Sequence, residues 1–165
     1  MSFLHTKSFY YKIALITPIA VIIQMMLGSY VQGTGAGLSC PDWPTCQGQI
    51  VPAYNSLVYI EFIHRVFASF VSVLIILLLI LTYLHRNETS EELGADQKPV
   101  RTEIGQKRLQ LMWFVTMLLI IQVIFGGLTV ILQLDPIVVM VHLGVATSIL
   151  VCTMFIYFWV KPYPQ

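Results

Sequence analysis

Charged residues are scarce in this chain. Only 10% of its 165 residues are Asp, Glu, Lys or Arg, whereas a soluble domain typically has about 25%. Hydrophobic residues make up 57% of the chain, and the mean hydropathy is +0.79. These values indicate a lipid-embedded protein and exclude a disordered tail, a repeat solenoid and a disulfide-rich secreted miniprotein.

An excess of positive charge is also missing. The formal net charge is +1, so the chain lacks the basic footprint that nucleic-acid binding needs. We therefore expect no nucleic-acid partner.

Four apolar runs are each long enough to span a hydrocarbon core, which takes about 20 residues. They cover residues 9–31, 57–84, 109–132 and 137–160. We predict an all-α integral membrane protein in which residues 1–165 form one bundle of four transmembrane helices.

Lys and Arg are absent from two of the three connections, residues 32–56 and 133–136. The third connection, residues 85–108, and both terminal segments carry them. By the positive-inside rule both termini and residues 85–108 are cytoplasmic, and the cysteine-containing loop 32–56 faces outward. We expect a multi-pass protein of the plasma membrane, surrounded by lipid, with residues 85–108 as a solvated linker.

A faint internal repeat relates the two predicted hairpins. In the first and third helices a glutamine is followed four residues later by a glycine, at Gln24 with Gly28 and at Gln122 with Gly126. The second and fourth helices each carry one intramembrane histidine. A parallel repeat explains this pattern, and chance similarity between membrane helices is the alternative.

The two intramembrane histidines are His64 and His142. Counted from the predicted helix starts at a rise of 1.5 Å per residue, their imidazoles lie at similar depth, within roughly 3 Å. Two histidines at matched depth on different helices suit the two axial positions of a haem iron. The alternative is that each histidine only forms a hydrogen bond to a neighbouring helix.

Two charged residues accompany His64. Glu61 and His64 are spaced i and i+3 on one helical face, and Glu61 and Arg65 are spaced i and i+4. A charge at bilayer depth costs roughly 2.5 to 3.5 kcal/mol on insertion scales, so a functional use is favoured. Arg65 is a candidate partner for a haem propionate, because its planar fork fits a carboxylate, and an ion pair with Glu61 is the competing use.

Cys40 and Cys46 lie in the outward-facing loop, where Pro41 and Pro44 favour tight turning. An outward-facing pair is typical of a disulfide, because that side of the membrane is oxidising. A structural disulfide is favoured over a reactive one.

Several strings resemble the haem A synthase family, membrane proteins that oxidise haem O to haem A. They are GTGAGLSCPDWPTC at residues 33–46, EFIHR at 61–65 and FGGLTV at 125–130, and the pair Val141-His142 continues the match. The resemblance covers nearly the whole chain except the inner loop.

The resemblance implies a set of site residues. Most members have eight helices in two four-helix halves, each with a histidine pair, one half holding haem b and the other the substrate haem O. By position, Glu61 is the catalytic carboxylate, His64 and His142 are the haem ligands, and Cys40 and Cys46 form the disulfide. This chain resembles the amino-terminal half and the compact four-helix members, so a homo-oligomer is expected.

The activity that follows is oxidation of the C8 methyl of haem O to a formyl group, which makes haem A for terminal oxidases. Two hydroxylations take their oxygen from water, and the geminal diol then loses water. The electron acceptor is unknown, since no flavin or nicotinamide fingerprint is present, and haem O synthase is a candidate partner. The alternatives are a bis-His cytochrome b for electron transfer and a non-catalytic haem-delivery protein.

Overall fold

Four long helices dominate the structure. The computed structural model describes residues 6–86 and 98–160, with only the backbone described at 98–102. The helices are α1 (Lys7–Gly33), α2 (Ser56–Leu84), α3 (Lys98–Ile131) and α4 (Pro136–Val160). Each is long and apolar enough to cross a bilayer, with α3 counted from Glu103. The predicted all-α membrane fold with four helices is confirmed.

Helix α3 begins well before its predicted start at residue 109. Residues 98–108, predicted to belong to a solvated linker, are helical, whereas residues 87–97 of that linker lie outside the described residues. The apolar run marked only the part of the helix suited to lipid. Lys, Arg, Glu and Gln are good helix formers, so the helix continues through the polar segment.

The four helices form a bundle in which neighbours in sequence are neighbours in space. Helix α1 packs against α2 and α4, and α3 packs against the same two helices. Helices α2 and α4 therefore lie across one diagonal of the bundle. We call the end that carries residues 34–55 the loop end, and the opposite end the tail end.

The closely packed core lies toward the tail end. The largest fully buried apolar side chains are Ile75, Leu78, Leu81, Met112 and Ile156. Tyr10 Oη and Thr82 Oγ1 are 3.0 Å apart in a buried hydrogen bond between α1 and α2. His64 and His142 lie outside this core, in the half of the bundle nearer the loop end.

Helices α2 and α4 begin at the loop end with the same kind of cap. The Asn55 side chain accepts hydrogen bonds from the backbone N–H groups of Leu57 and Val58. The Asp135 side chain accepts from those of Ile137 and Val138. Asn and Asp are preferred N-cap residues because they satisfy donors that lack partners in the first turn, so both histidine-bearing helices start at defined residues.

Gly105 of α3 lies close against the backbone just after the end of α2. A methyl group at Gly105 would overlap the backbone carbonyl of Arg86, which cannot move like a flexible side chain. We expect Gly105→Ala to lower the free energy of unfolding by about 1 to 3 kcal/mol, the usual cost of overpacking. Gly33→Ala is the control, because a methyl group there has no neighbour within 4 Å. Thermal unfolding in detergent would contradict the assignment if both variants melted like the parent.

Candidate functional site

His64 on α2 is held by two residues of α1. Gln24 Nε2 lies 3.1 Å from His64 Nδ1 and 3.4 Å from Nε2, and it donates to the His64 backbone carbonyl at 3.3 Å. A methyl group at Gly28 would lie 3.1 Å from His64 Cε1. The imidazole is therefore packed edge-on against α1, and Gly28 allows the helices to approach this closely.

His142 on α4 has the equivalent environment on α3. Gln122 Nε2 lies 3.3 Å from His142 Nε2. A methyl group at Gly126 would lie 3.4 Å from His142 Cε1. The glutamine and glycine of the internal repeat thus contact the histidine of the next helix in both hairpins. The two imidazoles therefore lie on diagonal helices, α2 and α4.

Glu61, one turn from His64 toward the loop end, forms an ion pair with Arg65, the residue that follows His64. Arg65 Nε donates to Glu61 Oε1 at 2.9 Å. The Arg65 side chain is 15% exposed and the Glu61 side chain 8%, so water screens this pair only weakly. The sequence allowed this pairing as the competing use of Arg65.

Arg65 also binds the cysteine-containing loop. Its Nη1 donates to the backbone carbonyls of Asp42 at 2.7 Å and Thr45 at 2.8 Å, and its Nη2 donates to that of Cys40 at 2.9 Å. A guanidinium has five N–H donors, and the bonds to Glu61 and the loop engage most of them. The predicted role of Arg65 toward a cofactor stays a prediction, whereas its contacts with the loop are a role that sequence reasoning missed.

The loop itself is closed by a disulfide. Cys40 and Cys46 are joined, with their Cα atoms 4.6 Å apart, and both residues are buried. Between them, Asp42 accepts hydrogen bonds from the Thr45 hydroxyl and from the backbone N–H groups of Gln47 and Gly48. These donors hold the Asp42 pKa below its usual value, so their stabilising effect is lost only as the pH falls through that lowered pKa.

The loop also packs across the end of the other hairpin. The Trp43 indole lies on Gly127 of α3, where a methyl group would be 3.3 Å from Cδ2. Gly37 packs against Leu134 in the turn between α3 and α4. Trp43 and Gly127 both belong to the quoted motifs, but nothing in the sequence indicated their contact. The loop thereby joins α2 to α3 at the loop end of the bundle, beyond the two histidines.

We expect Arg65→Met to loosen this loop and to lower the free energy of unfolding by about 3 kcal/mol. The substitution leaves the buried Glu61 carboxylate without its partner and three loop carbonyls without their donor. The control is Lys107→Met, which removes a pair of the same i,i+4 spacing with Glu103 at the exposed surface. The rate of disulfide reduction measures how loose the loop is, and thermal unfolding measures the loss of stability. Equal behaviour of the two variants would contradict the role of Arg65.

The two histidines suit a group that brings most of its own metal ligands. Among the side chains that the structure describes, at residues 6–86 and 103–160, no cluster of three or more His, Cys, Asp or Glu could hold a bare metal ion. A haem iron needs only the two axial ligands that His64 and His142 could supply. In the described part of the chain, three buried polar atoms in or beside the two histidines have no hydrogen-bond partner. They are His142 Nδ1 and the Oε1 atoms of Gln24 and Gln122.

Comparison with known proteins places the chain in a family. Residues 11–57 and 53–164 match the family described as cytochrome oxidase assembly protein, COX15-CtaA. A haem A synthase of Shewanella oneidensis is 27% identical over 89% of this chain and 44% of its own length. A haem A synthase of Bacillus cereus and one of Bacillus anthracis are each 29% identical over 81% of this chain and 39% of their own length. No solved structure matches.

The chain spans about two fifths of the length of the curated relatives it matches. The family match, however, extends over most of this chain and includes all four helices. The family resemblance read from the cysteine loop and the histidine motifs is thereby confirmed. The chain belongs to the COX15-CtaA family of cytochrome oxidase assembly proteins, the family of the haem A synthases.

Proposed function

We propose that this chain is a haem A synthase, which oxidises the C8 methyl group of haem O to a formyl group and so makes haem A for terminal oxidases. The observation that carries the proposal is the placement of His64 and His142 on diagonal helices, with the Glu61 carboxylate one turn away. Family membership supports the same conclusion, because the curated relatives are named haem A synthase.

The residues around His64 and His142 fit a haem. Buried polar atoms without a partner cost about 1 to 3 kcal/mol each, and His142 Nδ1 is such an atom. Gly28 and Gly126 leave each imidazole room beside its neighbouring helix. His64 and His142 would hold the iron of haem b as resident cofactor or of haem O as substrate. When bound, haem supplies one-electron redox chemistry.

The reaction consumes water and releases electrons. Each of two hydroxylations breaks a C–H bond of the substrate methyl, forms a C–O bond with the oxygen of a water molecule, and releases two electrons and two protons. The geminal diol then loses one water to leave the formyl group. The net change uses one water and gives up four electrons and four protons, which an electron acceptor outside this chain must take up.

Glu61 is the residue suited to act on the attacking water. It is only 6% exposed, and Arg65 contacts one carboxylate oxygen, Oε1. The contact leaves the second oxygen, Oε2, to orient a water molecule or accept its proton. Arg65 acts here as a positioning residue, since it donates hydrogen bonds both to Glu61 and to the cysteine-containing loop.

The chain carries a single intramembrane histidine pair, so one bundle would hold one haem at a time. Either one copy supplies the substrate haem and another the cofactor haem, or one bundle performs both roles in turn. We propose a homo-oligomer. Gly28 is occupied by the contact with His64, whereas Gly144 and Ser148 lie exposed one turn apart on α4 and are suited to close helix packing.

Native mass spectrometry from detergent tests the oligomer. We expect the parent to be a dimer or larger, and Gly144→Ile to shift it toward the monomer by blocking close approach of helices. A parent that is fully active as a monomer would refute the proposal.

The surroundings of the protein follow from the charge pattern and the substrate. We propose that it lies in the plasma membrane with both termini on the cytoplasmic side and the disulfide loop on the opposite side. Haem O synthase is a candidate partner because it supplies the substrate within the same membrane.

The deciding experiment is pigment analysis of membranes in which the chain is co-expressed with a source of haem O. A haem A synthase converts part of the haem O to haem A. A bis-His cytochrome b or a haem-delivery protein leaves haem O unchanged. Haem O recovered unchanged, with the protein present and loaded with haem, would refute the proposed activity.

A further inference from the structure

A groove runs along the bundle between α1 and α4, with a volume of about 570 Å³. Its wall on α1 is a single helical face that extends from Ile22 to Tyr30, and its wall on α4 contains Leu143 and Leu150. None of the lining residues is charged, and the hydroxyl groups of Ser29 and Tyr30 both lie toward the loop end. The groove therefore suits an elongated apolar group with a polar atom at one end.

The groove begins at the level of the two histidines. Ser29 follows Gly28, which packs against His64, and Leu143 follows His142. From Ser29 the groove extends along α1 toward the tail end for about 10 Å, at the rise of an α-helix. A substituent of a ligand held by the histidines can therefore enter the groove directly.

The two sides of the bundle differ at this level. In the internal repeat, Gly28 and Ser29 of α1 correspond to Gly126 and Gly127 of α3. On the α3 side the Trp43 indole lies on Gly127 and covers it. On the α1 side Ser29 is exposed and lines the groove. The α1 side thus leaves open the space that the indole fills on the α3 side.

The proposed ligand pair fixes how a porphyrin would face these two sides. Axial ligands approach the iron from opposite faces of the ring, so ligation by His64 and His142 directs the ring edges toward α1 and α3. Haem O differs from haem b in a long isoprenoid chain with a hydroxyl group next to the ring, on the pyrrole beside the one that bears the C8 methyl. With that methyl directed at Glu61 toward the loop end, the chain points sideways, to α1 or α3.

We propose that the groove between α1 and α4 binds the isoprenoid chain of haem O, with Ser29 beside the hydroxyl group and with Ile22 and Leu150 at the far end of the chain. This inference rests on the proposed function, which names haem O as the substrate. Ile22 and Leu143 are exposed on the surface that faces lipid, so the substrate enters sideways from the bilayer. The groove distinguishes haem O from haem b, which lacks the chain.

The test compares the affinities of haem O and haem b for the purified full chain in one detergent, by absorption titration. Ile22→Trp fills the far end of the groove, and we expect it to lower the ratio of the haem O affinity to the haem b affinity about 10-fold. Leu150→Trp narrows the same end from α4 and should lower the ratio likewise. Having a variant on each wall keeps the test decisive if one of them fails to fold.

The matched control is Ile120→Trp on α3, because Ile120 is the counterpart of Ile22 in the internal repeat and is also exposed. It should keep the affinity ratio of the parent. If the groove holds only membrane lipid, the groove variants will keep that ratio too, which would overturn the proposal. An equal loss of affinity for both haems would also overturn it, since the groove would then not distinguish them.

The failure of this proposal is distinguishable from that of the proposed function. A lowered affinity ratio in the groove variants together with no haem A formation by the parent would uphold the groove and refute the synthase activity. Normal haem A formation by the parent with an unaltered ratio in the variants would do the reverse.

Discussion

Replacing Glu61 by glutamine is expected to lower the rate of haem A formation per bound haem by about 100-fold or more, the scale associated with loss of a general base. Glutamine keeps the size of the side chain, and its carbonyl oxygen still accepts from Arg65 Nε. The loop contacts of Arg65 therefore survive, and the variant should fold and retain haem. Only the charge and basicity of the carboxylate are lost.

The control for Glu61→Gln is Glu103→Gln, which makes the same change in net charge in a pair of the same spacing. Glu103 pairs with Lys107 at the surface of α3, where both side chains are more than half exposed. It should convert haem O at the parent rate. If Glu61 only balances Arg65, Glu61→Gln will lose stability or haem but keep its activity per haem, and near-normal turnover would defeat the catalytic assignment.

Replacing His64 or His142 by alanine is expected to abolish the low-spin absorption spectrum of the bound haem. Two nitrogen ligands produce that spectrum, and each variant removes one of them. Both variants should bind haem less tightly and fail to form haem A. Absorption spectra of the purified proteins, normalised to protein, give the measurement.

The control for the histidine variants is His85→Ala. His85 is also buried in the bundle, but it lies at the tail end, stacked on Tyr10 and bonded to the Leu81 carbonyl. This variant should be less stable and yet keep the low-spin spectrum. An unchanged low-spin spectrum in both His64→Ala and His142→Ala would refute the ligand assignment.

The sequence by itself determined the four apolar helices, because length and hydropathy report directly on the ability to span a bilayer. It also determined the family, since the cysteine loop and the EFIHR string are contiguous in sequence. The predicted start of α3 at residue 109 was wrong because hydropathy identifies the residues suited to lipid, whereas a helix begins where its backbone hydrogen bonds begin, at Lys98. The propensity of its charged residues carries the helix beyond the apolar run.

Only the tertiary structure decided which polar groups meet. Helical spacing allowed Arg65 to pair with Glu61, but its bonds to the carbonyls of Cys40, Asp42 and Thr45 depend on how the loop folds back over α2. Trp43 meets Gly127 for the same reason, across a long separation in sequence. The repeat of Gln24 and Gln122 was visible in the sequence, whereas their contacts with His64 and His142 became visible only once the helices were packed. Periodicity describes one helix at a time, and contacts between helices depend on rotation and close approach, which the packing of the whole bundle decides.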